Sequence, residues 1–435
     1  MKIYIETLGC PKNFNDSQVA AGILEEHGFE VVKAPEDADV IMVNTCGFIN
    51  DAKTESIERI FDMAAYKEQG TKLVVSGCLS QRYGEELFAE MPEVDLFIGV
   101  NEYEKLPQLL KEPVERNVVC TDCIEKELQS YSRKLDENPY TATLKIAEGC
   151  NNICAYCIIP KIRGRYRSKR EEDILKEAET LAAAGCKELI LIAQDVTYYG
   201  KDLYGEFRLA KLLKKLCRIE GIQWIRLMYC YEDRITDELI QVMAEEEKIC
   251  NYLDIPIQHG SDRVLAAMNR RSTAESIENT LKRLKAAIPD MHIRTTLIVG
   301  FPGETEDDYD QLVEFVEKQR FARLGVFAYS QEENTAAGEM DGQIDDEIKE
   351  ERLDGIMRRQ LDISLELNRS KIGKIFTVLV DEIDQDGSYL GRTAYDAPEI
   401  DNSVIFTSER KLVPGDMVRV LVQDAFDYDL VGTEV

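Results

Sequence analysis

Histidine is scarce in this chain: 435 residues hold only His27, His259 and His292. None lies near the cysteine motif described below, so a zinc site built from paired cysteines and a histidine has little to draw on. Long apolar runs are also missing. Nothing approaches the roughly 18 apolar residues of a membrane span. No signal peptide is expected ahead of Met1-Lys2-Ile3-Tyr4-Ile5, which enters a strand at once. Positive charge is outweighed: 53 Lys and Arg stand against 82 Asp and Glu, a net charge of −29. That balance disfavours non-specific nucleic-acid binding, which needs cations on phosphates. It favours a basic partner, or simply keeps the chain in solution. At 44% hydrophobic and 31% charged, the composition is that of a soluble globular protein. Its length implies about two to four domains. Twelve cysteines without a leader argue for the reducing cytoplasm and for metal ligation rather than disulfides.

Three of those cysteines carry the strongest signal. Cys150, Cys154 and Cys157 form a C-x3-C-x2-C run after an apolar strand, with Tyr156 just before the last. Three close thiolates can hold three irons of a [4Fe–4S] cube and leave the fourth without a protein ligand. An open coordination position is the mark of a catalytic metal site. The alternatives are incidental cysteines or half of a zinc site. The motif resembles that of the radical S-adenosylmethionine (SAM) enzymes. The resemblance implies that the open iron takes the amino and carboxylate groups of SAM, and that reductive cleavage gives a 5'-deoxyadenosyl radical able to attack an unactivated C–H bond.

Residues 1–111 alternate strand and helix: strands Lys2–Leu8, Asp39–Asn44, Leu73–Ser76 and Val94–Ile98, helices Asp16–His27, Lys53–Gln69 and Gln81–Met91. Asn15 or Asp16 is the expected N-cap of the first helix. This βα repeat predicts a mainly parallel sheet. Cys10, Cys46 and Cys78 each follow a strand and each adjoins a glycine (Gly9, Gly47, Gly77). Ligands bind beyond the carboxyl ends of such strands, so three βα turns would bring three thiols to one edge. A second three-cysteine cluster is expected there; the alternative is three buried cysteines acting as small hydrophobes. Residues 112–140 read as an irregular linker. Its lone Cys120/Cys123 pair is expected to hold no metal.

From residue 141 to 370 the alternation resumes on a larger scale. Strands are expected at Thr141–Ala147, Glu188–Gln194, Ile222–Tyr229, Tyr252–Ile257, His292–Val299 and Ala322–Tyr329. They suggest a partial (β/α)6 barrel whose carboxyl-end face carries the cysteine motif. Tyr156, Gln194, Gly300 and Glu304 are the expected SAM contacts. Gln194 would bond the amino group, and Gly300 with Gly303 would let backbone approach. His259 is assigned a hydrogen-bonding role only. Asp345–Arg369 closes this part as a charged helix. Residues 371–435 then read as short strands of a five-stranded OB-like barrel. The fold class is therefore α/β: an N-terminal parallel α/β domain, a partial barrel and a small β-barrel. The last domain has six basic against thirteen acidic residues. Its acids, Asp396, Glu399 and Asp401 among them, are expected to attract a basic protein rather than RNA.

The whole chain resembles the radical-SAM methylthiotransferases. The residues that carry the likeness are Leu8-Gly9-Cys10-Pro11-Lys12-Asn13, Asp16-Ser17, Asn44-Thr45-Cys46, Gly77-Cys78-Leu79, Gly149-Cys150, Ile255 through Gly260, Gly391-Arg392 and Ala397 through Asp401. The resemblance implies two [4Fe–4S] clusters, an auxiliary one on Cys10, Cys46 and Cys78 and the SAM cluster on Cys150, Cys154 and Cys157. It implies a C-terminal TRAM domain. Two SAM molecules would be used, one as methyl donor and one as radical source. Within the family the details match the branch that adds a methylthio group to the β-carbon of an aspartate in ribosomal protein uS12, free or in the small subunit. An electron donor and a sulfur source are implied partners; a membrane and a direct tRNA substrate are not. The tRNA-adenosine branch shares both clusters, but the Cys10-to-Asn13 run, the Ala397-to-Asp401 segment and the acidic last domain stand against it. A two-cluster electron carrier would not need the barrel. A TRAM-based RNA adaptor is disfavoured by charge.

Overall fold

The computed structural model describes residues 1–111, 116–120, 128–135 and 139–435. The first unit is a six-stranded parallel sheet: β1 Lys2–Thr7, β2 Glu30–Val31, β3 Val40–Thr45, β4 Lys72–Gly77, β5 Leu96–Ile98 and β6 Asn117–Val119, in the order β2-β1-β3-β4-β5-β6. β3 is buried along its whole length, as expected of a parallel strand covered on both faces. Helices Pro11–Glu26, Asn50–Ala64 and Cys78–Glu90 connect its strands.

Two local expectations change. Asn15 and Asp16 do not cap the first helix. It starts at Pro11 with Cys10 at the N-cap, because proline at the first position pre-sets the helical φ and lacks only an N–H that would go unpaired. Asn15 and Asp16 lie inside the helix and are buried. The stretch 112–140 is not wholly irregular either: Asn117–Val119 pairs with β5 as an edge strand. Alternation is invisible in three residues. Arg133 then staples this unit to the next, donating to the Thr143 carbonyl at 2.7 Å and to Glu177 at 2.6 Å. Cys120 donates to the Ser80 carbonyl at 3.3 Å; Cys123 lies outside the described residues.

The second sheet holds β7 Thr141–Lys145, β10 Glu188–Ile192, β11 Trp224–Leu227, β12 Ile249–Asp254, β13 His292–Val299 and β14 Arg323–Ala328, all parallel, in the order β14-β13-β12-β11-β10-β7. A small ribbon of β8 Ala147–Glu148 and β9 Arg167–Ser168 brackets the cysteine motif. The largest apolar core lies between this sheet and its helices, with Leu144, Leu189, Leu191, Leu227 and Leu253 fully buried. The third unit is a closed barrel, β15 Ile375–Ile383, β16 Tyr389–Thr393, β17 Val404–Thr407, β18 Met417–Ala425 and β19 Leu430–Glu434.

This barrel seats on the amino-terminal ends of the second sheet's strands, opposite the cysteines. Arg392 bonds Glu188 at the start of β10 at 2.7 Å, and Arg323 at the start of β14 bonds Asp396 at 3.1 Å. Tyr252 donates to Asp401 at 2.7 Å, and His292 stacks on Tyr395 with ring centres 4.0 Å apart. The acids Asp396 and Asp401, expected to face a basic partner, are therefore internal. Their carboxylates satisfy buried Arg323 and Tyr252, which local charge counting does not reveal. Glu399 remains exposed, as do Asp384, Asp386, Asp424 and Asp427.

His292 gives this junction a pH dependence. Burial, then the nearby Lys371 ammonium, pushes its pKa down to about 4. The folded ring stays neutral where the unfolded ring would be charged. Its contribution is therefore complete above about pH 6.5 and is lost as pH falls towards 4. The half-buried ring limits the effect to about 1–2 kcal/mol. The melting temperature should fall over that window, and His292→Asn should flatten the difference. Parallel melting curves for both proteins would contradict this.

Candidate functional site

The sheet registers place the first cysteine set. Thr7 pairs with Asn44, and Asn44 with Ser76, so these residues form one row across β1, β3 and β4. Cys10, Cys46 and Cys78 follow that row by three, two and two positions. Gly9 makes the approach possible. Its φ is +88°, and a Cβ there would stand 2.9 Å from that of Cys46. Burial, then Cys78, pushes the Cys46 thiol up to about 12. Cys78 is likewise raised by burial, with Cys10 adding to it.

The second set lies at the carboxyl-end face of the second sheet. The Asn152 N–H donates to Cys150 Sγ at 3.4 Å, and Cys154 Sγ is 3.4 Å from the Tyr231 hydroxyl. Burial raises the Cys150 thiol to about 11 and pushes Cys157 up further. The loop is fixed from outside: Asn152 donates to Asp195 at 3.0 Å, and Arg234 donates to Asn152 at 2.7 Å.

Both sets fit the expected iron–sulfur clusters. Each offers three cysteine sulfurs at one strand edge, and a bound metal would displace the protons that burial favours on Cys46, Cys78, Cys150 and Cys157. Among the described residues no three His, Cys, Asp or Glu side chains gather around a single ion. A cube holds its ligands further apart than a single ion does.

A buried polar network joins the two domains beside the cysteines. Arg163, in the short helix Ile159–Arg163 after the motif, donates to Cys78 Sγ at 3.3 Å, to Asn13 at 2.8 Å and to Asp16 at 2.5 Å. Lys145 at the end of β7 donates to Asp16 at 2.6 Å and to Glu148 at 2.8 Å. Burial works to raise Glu148, but Lys145 and Arg163 overcome it and hold the carboxylate well below its usual range. Thus the residue bonded to the auxiliary thiol Cys78 sits six positions after Cys157. Sequence reasoning quoted Asn13 as a motif residue without a role, gave Asp16 only a capping role, and missed Lys145, Glu148 and Arg163. The available signal was polar residues at helical spacing: Asn13, Asp16 and Ser17 fall on one face.

Of the expected SAM contacts, Gln194 fits best. Its amide donates to Glu148 at 2.7 Å, while its buried Oε1 has no partner and can accept from an amino group. Tyr156 is half-buried against an apolar cluster that includes Met268 and Phe301, beside the motif. Gly300 and Glu304 have close partners within the protein. A Cβ on Gly300 would strike Lys349 Cγ at 2.3 Å, so glycine there admits a lysine of the closing helix. Glu304 is fully buried and occupied: it accepts from Arg352 at 2.9 Å and from the Phe301 N–H at 3.1 Å. It pins the loop after β13. His259 accepts from the Ser261 N–H at 2.9 Å, a hydrogen-bonding role as expected.

Family models match three segments: "Uncharacterized protein family UPF0004" over residues 2–99, "Radical SAM superfamily" over 144–316 and "TRAM domain" over 372–435. A protein of Clostridioides difficile (strain 630) named "Ribosomal protein uS12 methylthiotransferase RimO" is 50% identical over 99% of this chain and 98% of its own. One of the same name from Acetivibrio thermocellus is 49% identical over 99% and 98%. Among solved structures, the radical SAM methyltransferase TsrM of Kitasatospora setae, with cobalamin and a [4Fe-4S] cluster bound, superposes with a TM-score of 0.58 at 13% identity, covering 86% of this chain and 80% of that one. The likeness to it is one of fold.

Proposed function

This chain belongs to the RimO family of radical-SAM methylthiotransferases, and from that premise we propose that it adds a methylthio group to the β-carbon of an aspartate in ribosomal protein uS12. It is an enzyme that uses SAM and iron–sulfur chemistry. The assignment of Cys150, Cys154 and Cys157 to the SAM cluster, and of Cys10, Cys46 and Cys78 to the auxiliary one, belongs to this proposal. So do Tyr156, Gln194, Gly300 and Glu304 as SAM contacts, and the division at residues 111, 140 and 370. Cys150, Cys154 and Cys157 would hold a cluster that, when bound, would supply an iron open to SAM and pass on an electron for cleavage of its sulfonium.

The observation that carries the reading is that the helix following one cysteine set reaches, through Arg163, a thiol of the other. A sulfur transfer to an unactivated carbon needs both a radical source and a sulfur carrier beside the same substrate atom. Here Arg163, six positions after Cys157, donates to Cys78 and pairs with Asp16, so the short helix behind one thiol set is tied to the edge that carries the other. The protein's own share is to hold these edges in register, exclude water and orient the substrate. No helix among the described residues is long and apolar enough to cross a membrane; the cytoplasm, where ribosomes are met, is the proposed site of action. A reductant and a sulfur source complete the reaction. The test is the intact mass of uS12 from cells with and without this gene. A gain of one methylthio group only in cells that carry the gene supports the reading; equal masses refute it.

A further inference from the structure

Lys12 follows Cys10 by two positions and is only 8% exposed. No Asp or Glu among the described residues pairs with its ammonium. Its contacts are the Tyr229 ring, 3.3 Å from Nζ to the ring centre, and a 3.5 Å bond donated to the Ala193 carbonyl. An ammonium has three donors. A buried charge is costly unless paired, and no carboxylate among the described residues touches this one.

The place of these contacts is informative. Ala193 and Tyr229 stand at the carboxyl ends of β10 and β11. Two residues further along the same segments, Asp195 accepts from Asn152 and the Tyr231 hydroxyl meets Cys154 Sγ. Lys12 therefore lies between Cys10 on one side and the Cys150–Cys157 loop on the other. Tyr229 holds a φ of +58°, a strained conformation for a bulky residue. Such outliers point to function.

Resting on the reading that the substrate is an aspartate, we propose that Lys12 is a carboxylate-binding group that receives the side chain of the target residue. The carboxylate carbon is bonded directly to the β-carbon. Gripping the first therefore sets the second between the two cysteine sets. The competing role is charge balance for the thiolates, with no substrate contact.

The test uses the full chain with both clusters loaded, and two uS12 loop peptides with Asp or Asn at the target position. Wild type should favour Asp over Asn by roughly ten- to a hundredfold in kcat/KM, the range of one charge-assisted hydrogen bond. Lys12→Met should collapse that ratio towards one while iron content stays at the wild-type level. Peptide binding followed by fluorescence anisotropy should weaken for Asp alone. Lys12→Arg should restore part of the preference. A Lys12→Met enzyme that keeps the full Asp preference overturns the assignment. So does one that loses iron and treats both peptides equally badly, which is the charge-balance outcome. A wild type that modifies neither peptide overturns the aspartate reading, and this assignment with it.

Discussion

Replacing Cys150, Cys154 and Cys157 together by alanine should abolish SAM cleavage and halve the iron bound after anaerobic reconstitution. The two sets stand on separate sheets, so one should fill without the other. Replacing Cys10, Cys46 and Cys78 should also halve the iron but leave cleavage of SAM to deoxyadenosine, while methylthio transfer falls to background. Cleavage needs only the iron beside the barrel; sulfur delivery needs the other edge. Iron assay and chromatography of the nucleoside products separate the cases. Full iron in the second triple variant would show that Cys10, Cys46 and Cys78 hold no cluster.

Glu188→Ala should destabilise the seat of the C-terminal barrel by roughly 3–5 kcal/mol, the usual penalty for stranding a buried ion. Glu188 is fully buried. It accepts from Arg226 at 2.8 Å and from Arg392 at 2.7 Å, and its removal leaves two buried guanidinium groups short of a counter-charge. Arg226 reaches past it to the Ala394 carbonyl at 2.9 Å, so the damage falls on the junction itself. A separate, earlier melting transition and faster proteolysis near residue 370 should appear. Glu188→Gln, which keeps the shape and an acceptor, should cost less. Iron content should hold in both, because the cysteines lie at the other ends of the strands. A single unshifted transition for Glu188→Ala would contradict the account.

The fold was legible where strands alternate with helices at regular spacing. All six strands of the second sheet fall at the segments expected, apart from differences of a few residues at their ends, and residues 371–435 form the five-stranded barrel expected of them. Two- and three-residue strands such as Glu30–Val31 and Asn117–Val119 were not, since they carry no period and depend on neighbours for pairing. The cysteine edges could be anticipated because position after a parallel strand fixes place in space. Interdomain roles could not. Asp396 and Asp401 read as surface acids, yet partners from other elements bury them. Arg163 reads as one basic residue among several, yet it is buried against Cys78 of another domain. Gly300 marked a close approach correctly, but the sequence could not say that Lys349 makes it.

The central claim is that one chain with two cysteine edges modifies a protein aspartate. The most direct test gives the purified, cluster-loaded enzyme SAM, reductant and a sulfur source, with a uS12 loop peptide or with tRNA, and reads product mass. The account predicts a methylthio gain on the peptide that disappears when its target Asp becomes Ala, and none on tRNA. Gain on tRNA alone would contradict it.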